Sequence, residues 1–207
     1  MTTDTTEIIN DDRGALVEYI EQFLDADERA ALFAELDGAR AHFTHDRLRI
    51  YGRVVDSPRL VCAFGDDGLR YRYSGVDRPT RPWLPGLRAV RERVATAVGQ
   101  DFSYTLVNLY RDGDDYIGWH SDKYADIVPD SCIASLSLGA ERPFRLRGRE
   151  KDSPVHEIAL ADGSLLLMKG TTQRLYKHQL PARRAVRRPR FNVTLRLMRA
   201  TKQGRAW

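Results

Sequence analysis

The chain has little sulfur: two cysteines, Cys62 and Cys132, and three methionines among 207 residues. Two thiols cannot make a disulfide framework or a zinc site of the usual kind, and a reducing intracellular setting is expected. Long apolar runs are missing too. The longest, Ile133–Leu138 and Ser164–Met168, are strand-sized, far below the roughly 20 residues that a lipid-crossing helix needs, so no membrane association is expected. The start, Met1-Thr-Thr-Asp-Thr-Thr-Glu7, lacks the basic and apolar segments of a secretory signal. Disorder is excluded by composition. Hydrophobic residues make up 42% and are spread along the chain, enough for one core-bearing domain over 1–207.

Charge is unevenly placed. The total is +4, yet residues 1–37 carry eleven acids and two bases, so the remainder carries +13. A basic body fits a polyanionic partner, with nucleic acid foremost, and equally fits a solvated arginine-rich surface.

Periodicity predicts helices first and strands afterwards. Leu16, Tyr19, Ile20, Phe23 and Leu24 recur at three to four residues, which reads as helix from Asp11 onward. Asp25 and Glu28 have capping-box spacing, so a second short helix is expected to begin there and end near Gly38. Residues 1–40 are thus read as a helical N-terminal segment. Glycine- and proline-broken strand candidates fill 42–82. Trp83–Val98 carries a helical stripe of Leu87, Val90, Val94 and Val98. Short strands follow from Phe102: Tyr104–Tyr110, Ile133–Leu138, Phe144–Arg147, His156–Leu160, Ser164–Met168 and Arg190–Met198, with Asp162-Gly163 as a hairpin turn. The expected class is α+β, with helices packed on a jelly roll or barrel. Thr201–Trp207 reads as a loose tail.

His120-Ser-Asp122 is a His-x-Asp pair. In an extended segment residues i and i+2 share a face, so both side chains can converge on one ion. A third ligand must come from elsewhere among His42, His45, His156 and His178; His178 follows a strand and a polar turn. Two histidines and a carboxylate form the facial triad of non-haem iron(II) oxygenases, and a zinc hydrolase uses the same ligand types.

The last strand adds a second constellation. Phe191, Val193, Leu195 and Leu197 fall on one face, and Arg190, Asn192, Thr194 and Arg196 on the other. Two guanidinium groups on one face suit a dicarboxylate, or else a solvated outer face. Asn108 and Tyr110 form another same-face pair with hydrogen-bonding capacity.

Together these segments resemble the AlkB family of iron(II)/2-oxoglutarate dioxygenases. The matching pieces are Asn108-Leu-Tyr110, His120-x-Asp122, Ala134–Gly139, Asp162–Met168, His178 and Arg190–Arg196, covering roughly residues 45–198. The resemblance implies a double-stranded β-helix over 102–198 and a nucleotide-recognition lid over 42–82. It implies iron(II) on His120, Asp122 and His178, and 2-oxoglutarate among Asn108, Tyr110, Arg190, Thr194 and Arg196. It implies O₂ as oxidant, with succinate, CO₂ and formaldehyde as products of demethylating 1-methyladenine or 3-methylcytosine in nucleic acid, DNA foremost.

Leu48–Arg53, followed by Ser57-Pro58-Arg59, is similar to the finger of family members that work on duplex DNA. Tyr51 stands where an aromatic fills the gap left by a flipped base, followed by Gly52 and Arg53. Tyr71 and Tyr73 match the residues lining the base pocket, and Arg70 and Arg72 interleave with them. Arg183, Arg184, Arg187 and Arg188 precede the last strand and suit phosphates. Tyr124 stands where many members carry an acid that reads the base. A monomer is expected. A related dioxygenase acting on RNA, protein or a small molecule is a second reading, and a catalytically silent nucleic-acid-binding domain a third.

Overall fold

The computed structural model describes residues 4–50, 53–67, 69–73, 76–122 and 126–199. In chain order the elements are β1 (Thr5–Asn10), β2 (Ala15–Ile20), α1 (Ala26–Gly38), a 3-10 turn (Arg40–His42), β3 (Thr44–Ile50), β4 (Arg53–Gly65), β5 (Arg70–Tyr73), β6 (Val76–Pro79), α2 (Pro85–Val98), β7 (Tyr104–Tyr110), β8 (Ile117–His120), β9 (Ile133–Gly139), β10 (Arg142–Gly148), β11 (Val155–Leu160), β12 (Leu165–Gly170), α3 (Thr172–Leu175), β13 (Tyr176–Leu180) and β14 (Arg190–Arg196).

The eight strands from β7 to β14 divide between two sheets. One runs β1-β2-β12-β9-β14-β7-β4-β3, the other β11-β10-β13-β8, and β5-β6 form a separate hairpin. The chain crosses repeatedly from sheet to sheet, which is the winding of a jelly roll. Two apolar layers result. Between the sheets lie Ala63, Leu106, Phe144, Leu146, Leu166 and Met168. On the far side of the large sheet, Leu32 and Leu36 of α1 and Leu87, Val90 and Val94 of α2 cover Val107, Leu109, Phe191, Val193 and Leu195. All seven residues of β14 are therefore buried, because helices cover one face and the second sheet covers the other.

Local chemistry fixes the helices. Asp25 accepts from the Glu28 N–H at 2.9 Å, and Glu28 accepts from the Asp25 N–H at 2.9 Å, the expected capping box. α2 starts without a side-chain cap of its own. Glu35 of α1 supplies one, accepting from the Gly86 and Leu87 N–H groups at 2.9 and 3.2 Å. Gly99 ends α2 in the left-handed region at φ 70°.

Two expectations are corrected. The N-terminal segment is not helical throughout: residues 5–20 form the hairpin β1–β2, joined to the large sheet through β2 and β12. Ala15, Val17 and Tyr19 point between the sheets, while Ile20, Phe23 and Leu24 join the layer under the helices. That split of apolar residues over two faces and a following turn imitates a 3.6-residue period. The hairpin turn has its own signature: the Asp11 carboxylate accepts from Arg13 and Ala15 N–H at 3.1 and 2.9 Å, and Gly14 has φ 84°. Asp162-Gly163 does turn the chain, with Gly163 at φ 82°. It is a crossover and not a hairpin, since β11 and β12 belong to different sheets.

Candidate active site

His120 and His178 are direct cross-strand partners between β8 and β13. Their rings lie 4.2 Å apart at the centroids, and Phe144 stacks against His178 at 5.3 Å. Nδ1 of His120 donates to the Gly118 carbonyl at 2.8 Å, leaving Nε2 directed away. Asp122 follows β8 and brings Oδ1 to 4.0 Å from that Nε2. Ligand atoms of His120, Asp122 and His178 all lie within 4.8 Å of one another. His156, the competing ligand, sits on β11 opposite Leu146 and is no part of this cluster.

Protonation suits a cation. Burial pulls the His178 imidazole down to about 3, helped by the adjacent His120. Burial likewise lowers His120, with Asp122 opposing. Burial alone would raise Asp122, but Arg196, His178 and His120 outweigh it and hold the carboxyl at about 2. At neutral pH the donor set is two neutral imidazoles and one carboxylate, as a divalent metal requires.

The cluster lines a cleft of about 60 Å³. Asn108, Tyr110, Asn192, Thr194 and Arg196 line it too, as does Arg59. The two β14 arginines differ in their engagement. Arg196 Nε and Nη2 both donate to Asp122 Oδ2, at 3.1 and 2.9 Å. Arg190 lies behind Tyr110, its guanidinium 5.5 Å from the ring, with Nη2 donating to Ser137 at 2.8 Å. Its Nε and Nη1 are buried without a partner among the described residues. Burial lowers its pKa only to about 10, so it stays cationic. A buried cation with two unmatched donors fits a carboxylate-bearing cosubstrate, because such donors are costly to leave unmade.

Arg59, which the sequence groups with the finger segment, is a cleft residue that sequence reasoning did not place there. It is buried and its Nε donates to Asn108 at 2.7 Å. The signal lay in β4, where Ser57, Arg59, Val61 and Ala63 alternate inward. Of the substrate-side residues, Arg53 begins β4 in an exposed position. Tyr71 and Tyr73 lie on β5, paired with Arg78 and Val76 of β6. Tyr51, Gly52 and Tyr124 lie outside the described residues.

A profile of the 2OG-Fe(II) oxygenase superfamily matches residues 16–196. The chain is 38% identical over 188 residues to "DNA oxidative demethylase ALKBH2" of Homo sapiens, covering 86% of this chain and 71% of that protein. The chain belongs to the AlkB family of these oxygenases. Human "Alpha-ketoglutarate-dependent dioxygenase alkB homolog 3" is 36% identical over 166 residues, covering 74% of this chain and 56% of that protein. The solved structure of OsALKBH1 shares the fold, with TM-score 0.60 at 16% identity, covering 87% of this chain and 96% of that one. The protein is therefore an iron(II)/2-oxoglutarate-dependent dioxygenase with a jelly-roll core. Iron(II), 2-oxoglutarate and O₂ supply the oxidising chemistry when bound. The chain's own contribution is to bring two neutral imidazoles and a carboxylate together, to anchor Asp122 through Arg196, and to present a cationic, buried Arg190.

Proposed function

We propose that the protein demethylates N-alkylated bases in DNA, with 1-methyladenine and 3-methylcytosine as substrates. The observation that carries this reading is the joining of a converged His120–Asp122–His178 cluster with 38% identity to a DNA oxidative demethylase over most of the chain. His120, Asp122 and His178 hold the metal in this reading. Arg190, Tyr110, Asn108, Thr194 and Arg196 form the cosubstrate side.

A basic loop supports a nucleic-acid substrate. Arg183, Arg184, Arg187 and Arg188 are exposed between β13 and β14. The loop is laced to residues 111–116, which lead to β8: Gly113 N–H donates to Val186 at 2.8 Å and Arg183 N–H to Gly113 at 2.7 Å. A Cβ on Gly113 would fall 1.8 Å from the Arg183 carbonyl oxygen, so only glycine permits this closeness. Buried Arg142 ties both segments down through the carbonyls of Asp112, Asp115 and Pro181 at 2.7–2.9 Å. Exposed guanidiniums on a fixed loop suit phosphates. Tyr51 is the proposed wedge, Gly52 and Arg53 its finger, and Tyr71, Tyr73 and Tyr124 the base-pocket residues. The protein works as an intracellular monomer in this proposal.

The test is mass spectrometry of oligonucleotides bearing either lesion, single- and double-stranded, in DNA and RNA, with iron(II), 2-oxoglutarate and O₂. Replacement of the methyl by hydrogen, a net loss of one CH2 in mass, with stoichiometric succinate is expected on DNA. Succinate release that ignores every methylated oligonucleotide would point to a protein or small-molecule substrate. Binding without succinate would point to a silent nucleic-acid-binding domain.

A further inference from the structure

Outside the ligands and arginines, one buried side chain is joined directly to the metal-binding loop. Gln173 belongs to α3 and is 5% exposed. Its Oε1 accepts from the Asp122 N–H at 2.9 Å, and its Nε2 donates to Met168 Sδ at 3.2 Å. The amide orientation is dictated by chemistry. A backbone N–H can only donate, so oxygen must face it, and the NH₂ group then meets the weakly accepting thioether.

The place matters because Asp122 is a ligand outside any strand. The two histidines are fixed by the β8–β13 register, whereas a carboxylate on a loop must be held by other groups. α3 and its neighbours provide that hold. Ser121 Oγ donates to the Tyr176 carbonyl at 2.7 Å, and Arg149 Nη2 donates to Ser121 Oγ at 2.8 Å. Gln173 adds the one side-chain bond to the backbone of Asp122 itself among the described residues. Met168 lines the cleft, so the same amide links a ligand's backbone to the cleft wall.

We propose that Gln173 is a positioning residue. It sets the backbone of Asp122 so that Oδ1 faces the histidine nitrogens while Oδ2 stays with Arg196, and it fixes Met168 in the wall beside them. This inference rests on the metal-site reading and is independent of which substrate the enzyme takes. It assigns separate roles to the two ends of the amide. Gln173→Leu removes both bonds at similar volume. Gln173→Asn keeps the amide but is one methylene too short to span. Gln173→Glu keeps an acceptor for the Asp122 N–H and gives up the bond to sulfur, at the cost of a buried acid that its surroundings push toward the neutral form.

The experiment is Mn(II) titration of the metal-free full chain, read by the electron paramagnetic resonance of free Mn(II). It is joined by iron(II) dependence of turnover and by thermal melting without metal. Groups that orient metal ligands are typically worth ~10- to 100-fold in metal affinity. Gln173→Leu and Gln173→Asn are expected to bind Mn(II) more weakly by about that factor, with turnover recovering as iron(II) is raised. Gln173→Glu is expected to restore most of the affinity. If the leucine variant fails to fold, asparagine against glutamate carries the same comparison. Wild-type Mn(II) affinity in the leucine or asparagine variant would overturn the proposal. So would equal losses in the asparagine and glutamate variants, or lost turnover that excess iron(II) does not recover. A wild-type chain that binds no Mn(II) would instead remove the metal-site reading beneath it.

Discussion

Arg196 and Asp122 meet through a single oxygen: Nε and Nη2 of the arginine both donate to Oδ2, while Oδ1 stays on the side of His120. The pair is about nine-tenths buried on each side. It divides the carboxylate into a half held by arginine and a half turned toward the histidines. Six residues earlier on the same face of β14, Arg190 has no carboxylate partner among the described residues. The two arginines therefore respond to removal in opposite ways.

Arg196→Met leaves the Asp122 carboxylate buried without its cation. Breaking a buried pair this way costs roughly 3–5 kcal/mol. Denaturant unfolding of the metal-free variant should show a loss of that order. Added Mn(II) should recover part of it, because the ion supplies the missing positive charge. A variant as stable as wild type would mean that the pair contributes little.

Arg190→Met should leave the ligand-free fold as stable as before, or more so, because an incompletely partnered buried cation is exchanged for apolar volume. The cost should fall on the cosubstrate. Removing a charge-assisted hydrogen bond costs about 1.5–3 kcal/mol, or about a 10- to 150-fold rise in the KM for 2-oxoglutarate. Steady-state kinetics beside a melting curve checks both halves. An unchanged KM would detach Arg190 from the cosubstrate.

Mn(II) should raise the melting temperature of the wild-type chain and not that of His178→Ala. A ligand at a hundred times its Kd stabilises the folded state by about 2.7 kcal/mol. Both proteins are compared after chelation and again at the same free Mn(II). Equal shifts would place the ion elsewhere.

The contrast between β14 and β2 shows what the sequence exposed and what it hid. β14 was readable because its two faces carry different chemistry: Phe191, Val193 and Leu195 go under the helices, Asn192, Thr194 and Arg196 line the cleft, and Arg190 on that same face lies buried behind Tyr110. β2 was hidden because it carries apolar residues toward both layers, so alternation disappears and the residues after it complete a false helical period. His120 and Asp122 were visible as neighbours in sequence. Their meeting with His178 depends on β13 pairing with β8, a contact across 58 residues that no local pattern encodes. Arg59 and Gln173 were not placed at the site for related reasons. One lies in a strand whose sequence carries a proline beside it, and the other on a single helical turn whose target is 51 residues away.

The basic loop yields a salt-dependence test. Each arginine that neutralises a phosphate of duplex DNA adds about 0.9 to the steepness of log K against log salt. Arg187→Ala should weaken binding to all duplex sequences alike and flatten the slope by about that amount. Gly113→Ala should reproduce the weakening without removing a charge, since a Cβ there collides with the Arg183 backbone. Fluorescence anisotropy across a salt series reads both. An unaltered slope in Arg187→Ala would take that side chain off the phosphates.

Tyr51 should matter on duplex DNA and much less on single strands, because the two differ in what base flipping costs. Extruding a base from a duplex loses pairing and stacking worth a few kcal/mol. An aromatic side chain entering the vacancy recovers part of this, and base–aromatic stacking is worth roughly 1–3 kcal/mol, or about 5- to 150-fold in rate. A single strand has less stacking to lose, so a wedge has less to restore. Tyr51→Ala should therefore depress duplex turnover within that range, leave Mn(II) affinity unchanged, and spare the single-stranded reaction. Wild type and variant are compared on the same lesion in both contexts. Equal losses on the two substrates would identify a general contact or a folding defect. No loss on either would make Tyr51 an ordinary hairpin tyrosine.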